Sequence, residues 1–269
     1  MRFCSIGSGS KGNGTLIQQG ETCILIDDGF TLKDFEFRLA QKGLTPLQLT
    51  AILVTHEHGD HIKGVGPLAR KYRIPVYISH GTAQHEGLGK IPSLKIFDSH
   101  QSFSIGELTV MPVVVPHDAR EPTQYVVSSD LYKVGVLTDL GSLTPYILEQ
   151  YQNCHALLVE TNHDVQMLRN GPYPARLKKR VEGHLGHLNN EQAAQFLNGV
   201  DTSDLQYVVA THISGQNNRV DYAVNSICRS LECEADWVIV ADQDTGFDWR
   251  EIAWFKNYVC ENTDMWSVA

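Results

Sequence analysis

The sequence predicts an α/β sandwich, two sheets packed face to face with helices outside. Three observations carry that prediction. Short apolar runs of strand length recur along the chain. They gather into two strand-rich blocks, with helical spacing between and after them. Several of the runs also end on a histidine or an aspartate, as if delivering side chains to one edge of a scaffold.

The elements follow in order. "RFCSIG" and "GTLIQQG" read as strands split by the tight "SGSKGNG" loop, and "CILIDDG" as a third. In "TLKDFEFRLAQKG" Leu32, Phe35 and Leu39 have helical spacing, and Gly43 supplies a C-terminal stop. "AILVT" is a buried strand, "HIKGVGPLARKYRI" a helix despite its glycines, and "VYIS" a strand. A β-rich block follows through "SLKIF", "QSFSIG", "LTVMPVVVP", "TQYVVSS" and "YKVGVLTD". The last third alternates: helix "TPYILEQYQ", strand "HALLVET", a helical stretch through Val181, helix "NEQAAQFLNGV", strand "LQYVVAT", helix "RVDYAVNSICRSL" and strand "DWVIV". Asn189 and Gln192 have capping-box spacing at one of those helix starts. The tail from Trp254 is amphipathic at best. No repeat or linker divides the chain, so one domain over residues 1–269 is expected.

Composition narrows the function. A net charge of −9 gives no bulk attraction to nucleic acid. No apolar run approaches membrane-span length, and the N-terminus lacks a charged leader followed by an apolar stretch. The six cysteines form no C-x-x-C pair and read as free thiols in a reducing cytoplasm.

The chemistry is concentrated in "THEHGDH", which sets His56, His58, Asp60 and His61 within six residues. All four can bind a metal through nitrogen or oxygen. One segment cannot complete two sites, so further ligands must come from elsewhere. The strand ends supply them: "CILI" ends at Asp27, "MPVVVP" at His117, "VGVLT" at Asp139 and "YVVAT" at His212. His56, His58 and His117 suffice for one ion. Asp60, His61 and His212 suffice for a second, with Asp139 bridging. The extended-loop histidines and the helix-start pair fit the roughly 3.5–4 Å spacing of two-metal sites. A lone histidine after a strand is ordinarily a surface or hydrogen-bonded residue, and His80, His85, His100 and His155 are read that way.

"THEHGDH" is the H-x-H-x-D-H signature of metallo-β-lactamase-fold hydrolases, and "LIDDG", "PHDA", "LTDLG" and "THIS" resemble that family's other motifs in its order. The resemblance spans most of the chain and implies an αββα sandwich with a dinuclear site at one edge. It implies the same metal ligands, with Asp27 orienting the site by hydrogen bonding. "GSGSKGNGT", "ETNHD" and "GHLNNEQAA" resemble the YycJ (WalJ) branch, bacterial relatives of tRNase Z with DNA exonuclease activity. Asp28, where the branch has a small residue, and Asn189, where it has serine, are departures outside the ligand set.

The resemblance implies a DNA exonuclease, acting from a 5′ end, in which two divalent ions activate a hydroxide for attack on phosphorus. Zinc is the expected ion, with manganese or iron as alternatives for imidazole and carboxylate ligands. Asp60 and Asp139 are then catalytic as ligands. His187 is the candidate proton donor to the leaving group, by likeness to tRNase Z, with His184 as its competitor. Ser8, Ser10 and Asn13 in the glycine loop are candidate phosphate contacts, although the loop also reads as a plain turn. Lys178, Lys179 and Arg180 close the only basic stretch, a solvated helix face or a track for a DNA backbone. No obligatory protein partner is evident. Hydrolysis of a small phosphodiester, ester, thioester or lactam is the competing activity, and a catalytically silent binding scaffold the competing class.

Overall fold

The computed structural model describes residues 1–253. In one sheet, β1 (Arg2–Gly7), β2 (Gly14–Gln19) and β3 (Thr22–Ile26) form an antiparallel meander, and β4 (Ala51–Leu53), β5 (Val76–Ser79) and β6 (Leu94–Phe97) continue it in parallel. The last strand of the described chain, β14 (Phe247–Glu251), returns to pair antiparallel with β1. In the other sheet, β7 (Phe103–Ile105), β8 (Leu108–Val114), β9 (Thr123–Ser128) and β10 (Lys133–Leu137) are antiparallel neighbours. There β11 (Ala156–Glu160), β12 (Tyr207–Thr211) and β13 (Val238–Val240) extend the sheet in parallel. Both seven-stranded sheets therefore run through the same pattern of antiparallel and then parallel pairings. In this pattern β3 and β10 hold equivalent places, and Asp27 and Asp139 follow them.

The hydrophobic pattern explains the layering. β3 reads "TCILI" with every residue buried, as expected for a strand covered on both faces. Helices α1 (Leu32–Gln41), α2 (Gly59–Ile62), α3 (Val65–Tyr72) and α4 (His80–Ala83) follow the strands of the first sheet. Helices α5 (Pro145–Gln150), α6 (Val165–Asn170), α7 (Ala175–Val181), α8 (Asn190–Gly199) and α9 (Val220–Leu231) follow those of the second. Tyr151, Phe196 and Ile227 fill a second apolar cluster, and the Tyr151 ring meets Phe196 edge-on at 5.6 Å. The Tyr151 hydroxyl donates to the Val136 carbonyl at 2.6 Å, so its one polar atom is not stranded by burial.

Two expectations are refined. α1 ends at Gln41, with Gly43 beyond the cap at φ 74°, the left-handed stop that favours glycine. The helix expected over "HIKGVGPLARKYRI" is two, α2 and α3. They part at Gly64, whose N–H donates to the Asp28 carbonyl and where a Cβ would meet the Asp28 carboxylate at 2.1 Å. α4 and β14 carry no sequence expectation. β14 is an edge strand far along the chain from its partner, which local patterning does not reveal. The tail from Trp254 lies outside the described residues. No described helix is long and apolar enough to cross a membrane.

Candidate metal centre

The strand ends converge as the sequence implies. Asp27 follows β3, His56 lies shortly beyond β4, Asp139 beyond β10 and His212 directly after β12. The backbones of Asp27 (φ 62°), Asp139 (φ 53°) and His212 (φ 52°) are all left-handed. Such non-glycine residues are uncommon, cost of order 1–3 kcal/mol each, and cluster at functional sites. Here the turn aims each side chain across the edge of the sandwich. Close backbone approach completes it. A Cβ on Gly29 would meet the Asp60 carbonyl at 1.9 Å, and one on Gly141 would meet the Gly186 nitrogen at 2.3 Å. Glycine at these places lets α2 and the loop before His187 press against the two strand ends.

Two groups of donors result. His56 Nε2 lies 2.9 Å from His58 Nδ1, and His117 Nε2 lies 3.2 Å from the same atom. Beside them His61 Nε2 is 3.7 Å from Asp60 Oδ2 and 3.1 Å from Asp139 Oδ2. His212 Nε2 is 3.6 Å from Asp60 Oδ2 and 3.5 Å from Asp139 Oδ1. Asp139 thus faces both His61 and His212, and His56, His61 and Asp139 form a further set of converging donors. Asp139 Oδ2 and His212 Nε2 are buried with no hydrogen-bond partner among the described residues. Groups so placed fit a cation. The electrostatics agree. Burial, reinforced by neighbouring imidazoles, pushes His56 well below the usual histidine range, towards the neutral form that ligates metal. Burial opposes charge on His61 and His212 too, yet the surrounding carboxylates outweigh it and raise both well above that range. The second group therefore demands positive charge, from protons or from an ion.

Two buried carboxylates stand behind the donors. Asp27 accepts from Thr55 N at 2.8 Å, from Thr55 Oγ1 at 2.7 Å and from His61 Nδ1 at 2.8 Å. That leaves His61 Nε2 to face the centre. Glu160 stands behind two rings: it accepts from His187 Nδ1 at 2.7 Å and lies 3.2 Å from His212 Nδ1, which also meets the Asn162 amide nitrogen at 3.1 Å. Its other oxygen accepts from the Leu140 and Leu188 amides at 3.2 and 3.1 Å. Burial opposes ionisation of Glu160, but His187 and His212 outweigh it and bring its carboxyl down to about 2. His187, in turn, is disfavoured as a cation by burial, but the charge of Glu160 and its hydrogen bond raise its pKa.

Sequence reasoning did not single out Glu160, although the signal was present. "HALLVET" is an apolar run ending on an acid, the same pattern that points to Asp27 and Asp139. His187 joins the cluster, stacked on His212 at 5.3 Å and edge-on to His117 at 5.3 Å. His184 is exposed and enters none of the donor groups.

The substrate-contact residues are placed differently from expectation. Ser8 is buried, and its hydroxyl accepts from the His212 amide at 2.9 Å. Asn13 is buried too, bonded to Gly9 and lying 3.1 Å from His61 Nε2. Both brace histidine-bearing segments rather than facing solvent; of the three candidates only Ser10, at the loop tip with Lys11, is exposed. In the basic stretch Lys178 donates to the Arg169 carbonyl at 2.8 Å, and Arg169 pairs with Glu182 at 2.5 Å. Arg180 forks onto Asp118 through Nε at 2.5 Å and Nη2 at 3.1 Å. Lys179 is exposed and forms no ion pair among the described residues.

With this geometry in view, the comparisons are specific. The family model for a beta-lactamase superfamily domain matches residues 22–213. The chain is 36% identical over 236 residues to exodeoxyribonuclease YycJ of Bacillus anthracis, spanning 86% of this chain and 89% of that protein. It is 34% identical over 247 residues to exodeoxyribonuclease WalJ of Streptococcus pneumoniae serotype 2, spanning 90% and 91%. A hydroxyacylglutathione hydrolase of Rhodopseudomonas palustris is 36% identical over 93 residues, 34% of this chain and 33% of that enzyme. Among solved structures, the metallo-beta-lactamase fold protein YhfI from Bacillus subtilis matches with a TM-score of 0.69. It covers 93% of this chain and 99% of that one at 20% identity, a likeness of fold.

Proposed function

The chain belongs to the beta-lactamase superfamily, alongside the YycJ and WalJ exodeoxyribonucleases, and we propose that it is a metal-dependent phosphodiesterase that shortens DNA from an end. The observation that carries this reading is the extent of the similarity. It runs through 86–90% of the chain for the exodeoxyribonucleases but 34% for the thioester-hydrolase relative. The parts of the chain beyond the signature segment therefore resemble nucleases.

His56, His58 and His117 would hold one divalent ion, and Asp60, His61 and His212 a second, with Asp139 between them. When bound, two such ions lower the pKa of a shared water and screen a phosphodiester's negative charge. Zinc suits these imidazole and carboxylate donors, and manganese or iron is the alternative. The chain's own residues supply the rest. Asp27 holds His61 in the tautomer that points Nε2 at the centre, and Glu160 backs His187 and His212 from behind. His187, whose proton affinity Glu160 raises against the effect of burial and which is partly open to solvent, gives its proton to the leaving oxygen of the cleaved strand. A cytoplasmic setting belongs to the same proposal, in keeping with the five free cysteines among the described residues.

The test uses duplex DNA labelled at either end, a generic phosphodiester and a thioester, each with zinc or manganese restored after chelation. Stepwise release of nucleotides from one DNA end, with little thioester turnover, is expected. Preferential thioester cleavage would overturn the reading. Metal analysis of Asp139→Ala examines the bridge: content should fall from two ions toward one per chain, and two tightly held ions would remove Asp139 from that role.

A further inference from the structure

A cavity of about 600 Å³ opens between the start of α8 and one face of α9. That volume is in the range of sites that enclose small organic groups. Tyr222, Asn225 and Arg229 line it from α9, at the spacing that puts them on one helix face. Asp164, Asn189 and Glu191 line it from the other side.

This cavity shares its wall with the candidate metal centre. The segment from Glu160 to Asp164 and the segment from His187 to Glu191 each have one end in the centre and the other in the cavity. They are clamped together. Asn162 N donates to the Leu188 carbonyl at 3.0 Å, Asn190 N donates to the His163 carbonyl at 3.0 Å, and His163 bridges Asn189 in parallel register. A group held in the cavity is thereby fixed relative to His187.

The lining specifies the group. Arg229 is paired with Glu191 at 2.5 Å, and nearby Arg219 is paired with Asp221 at 2.9 Å. These cations are neutralised, and Asp164 adds a further acid to the wall, so a phosphate is poorly matched. What remains is planar and neutral. Tyr222 is 42% exposed, and the Arg219 guanidinium lies over one side of its ring, 5.1 Å from the centroid. Asn225 and Asn189 line the wall; the Asn189 side-chain oxygen caps α8 by accepting from Gln192 N at 2.9 Å, which leaves its amide nitrogen as the available donor. One aromatic face with amide groups around it matches a nucleobase: stacking is sequence-tolerant, and amides hydrogen-bond base edges. We propose that this cavity receives an unstacked base of the DNA strand being shortened, and that Tyr222 is its stacking platform. The proposal rests on the nuclease reading above. It adds a register device that holds the strand while the adjoining phosphodiester lies at the metal centre.

The experiment measures binding and turnover separately in the full-length protein. Binding uses a short single-stranded oligonucleotide with phosphorothioate links and 2-aminopurine at successive positions, read by fluorescence. One position should be perturbed on binding. Tyr222→Ala should abolish that perturbation and weaken binding roughly 5- to 150-fold, the range for losing one stacked base, whereas Tyr222→Phe should retain both. In turnover, the ratio of kcat/KM for DNA to that for bis-nitrophenyl phosphate should fall by a similar factor in Tyr222→Ala, and by less in Asn225→Ala. Unchanged oligonucleotide binding in Tyr222→Ala overturns the cavity assignment even if DNA is hydrolysed. A wild-type protein that binds the oligonucleotide through Tyr222 but cleaves no DNA overturns the nuclease reading instead.

Discussion

Asp27 and Glu160 do comparable work in the two halves of the sandwich, and they do it differently. Each is buried, each sits at the end of an apolar strand, and each fixes imidazole rings from behind. Asp27 serves one ring, His61, and spends its remaining capacity on Thr55 of the same loop. Its partners all lie in the contiguous signature. Glu160 is shared between His212, which faces Asp60 and Asp139, and His187, which is partly open to solvent. One carboxylate orients a ligand. The other couples a ligand to a proton donor, so metal binding and leaving-group chemistry meet in a single residue of the second half.

The largest expected effect tests whether His187 is that donor. A general acid contributes typically 10²–10⁴-fold, so His187→Ala should lower kcat on DNA by about that factor with both metals retained. The deficit should shrink for a nitrophenolate ester, whose leaving group needs no proton. Loss of one metal would make His187 a ligand, and the asymmetry between the two carboxylates would vanish. His184→Ala, at an exposed position outside the cluster, should be nearly silent.

The next effect distinguishes the carboxylates directly. Partners of this kind typically change metal affinity or activity by 10–100-fold when lost. Asp27→Asn should show that loss as weaker metal binding, with the pH profile unmoved. Glu160→Gln should show it in kcat and also shift the profile. In the native protein Glu160 raises the pKa of His187, so the proton is held to higher pH, and activity falls as pH rises through that value. Without the carboxylate charge the pKa drops, and the alkaline fall should begin at lower pH. A Glu160→Gln profile superimposable on the native one would reduce Glu160 to an orienting group like Asp27.

The same contrast explains what could be read from sequence. The first half's metal donors are contiguous, and a dense group of three histidines and an aspartate has no ordinary surface explanation. The second half contributes single residues separated by whole strands and helices: His117, Asp139, Glu160, His187 and His212. Each is ambiguous until parallel pairing sets β10, β11 and β12 side by side. Strand ends made Asp139 and His212 legible, and the same rule applied to "ALLVE" reaches Glu160. Burial direction was not legible. "SGSKGNG" reads as a phosphate-contacting loop or a plain turn, yet Ser8 and Asn13 within it are buried and support the donors. Nor was pairing among charges, because Asp118 and Glu182 reach Arg180 and Arg169 only through the tertiary fold.

That pairing sets the smallest effect. Neutralising a free cation that follows a DNA backbone removes about one released counterion and lowers the salt slope by about 0.9 for duplex DNA. Lys179→Gln should therefore flatten the salt dependence of DNA binding by roughly one unit and weaken binding by a few-fold at low salt. Arg180→Gln changes more than one charge, since it also leaves Asp118 unpaired with its oxygen 3.6 Å from His117 Nε2. Its loss should extend to the small phosphodiester, where no backbone is followed. If Lys179→Gln and Arg180→Gln instead behave alike on both substrates, α7 is a solvated face that supports the His187 loop. Recognition of the strand would then fall to the wall shared by Glu160, His187 and the α8–α9 cavity.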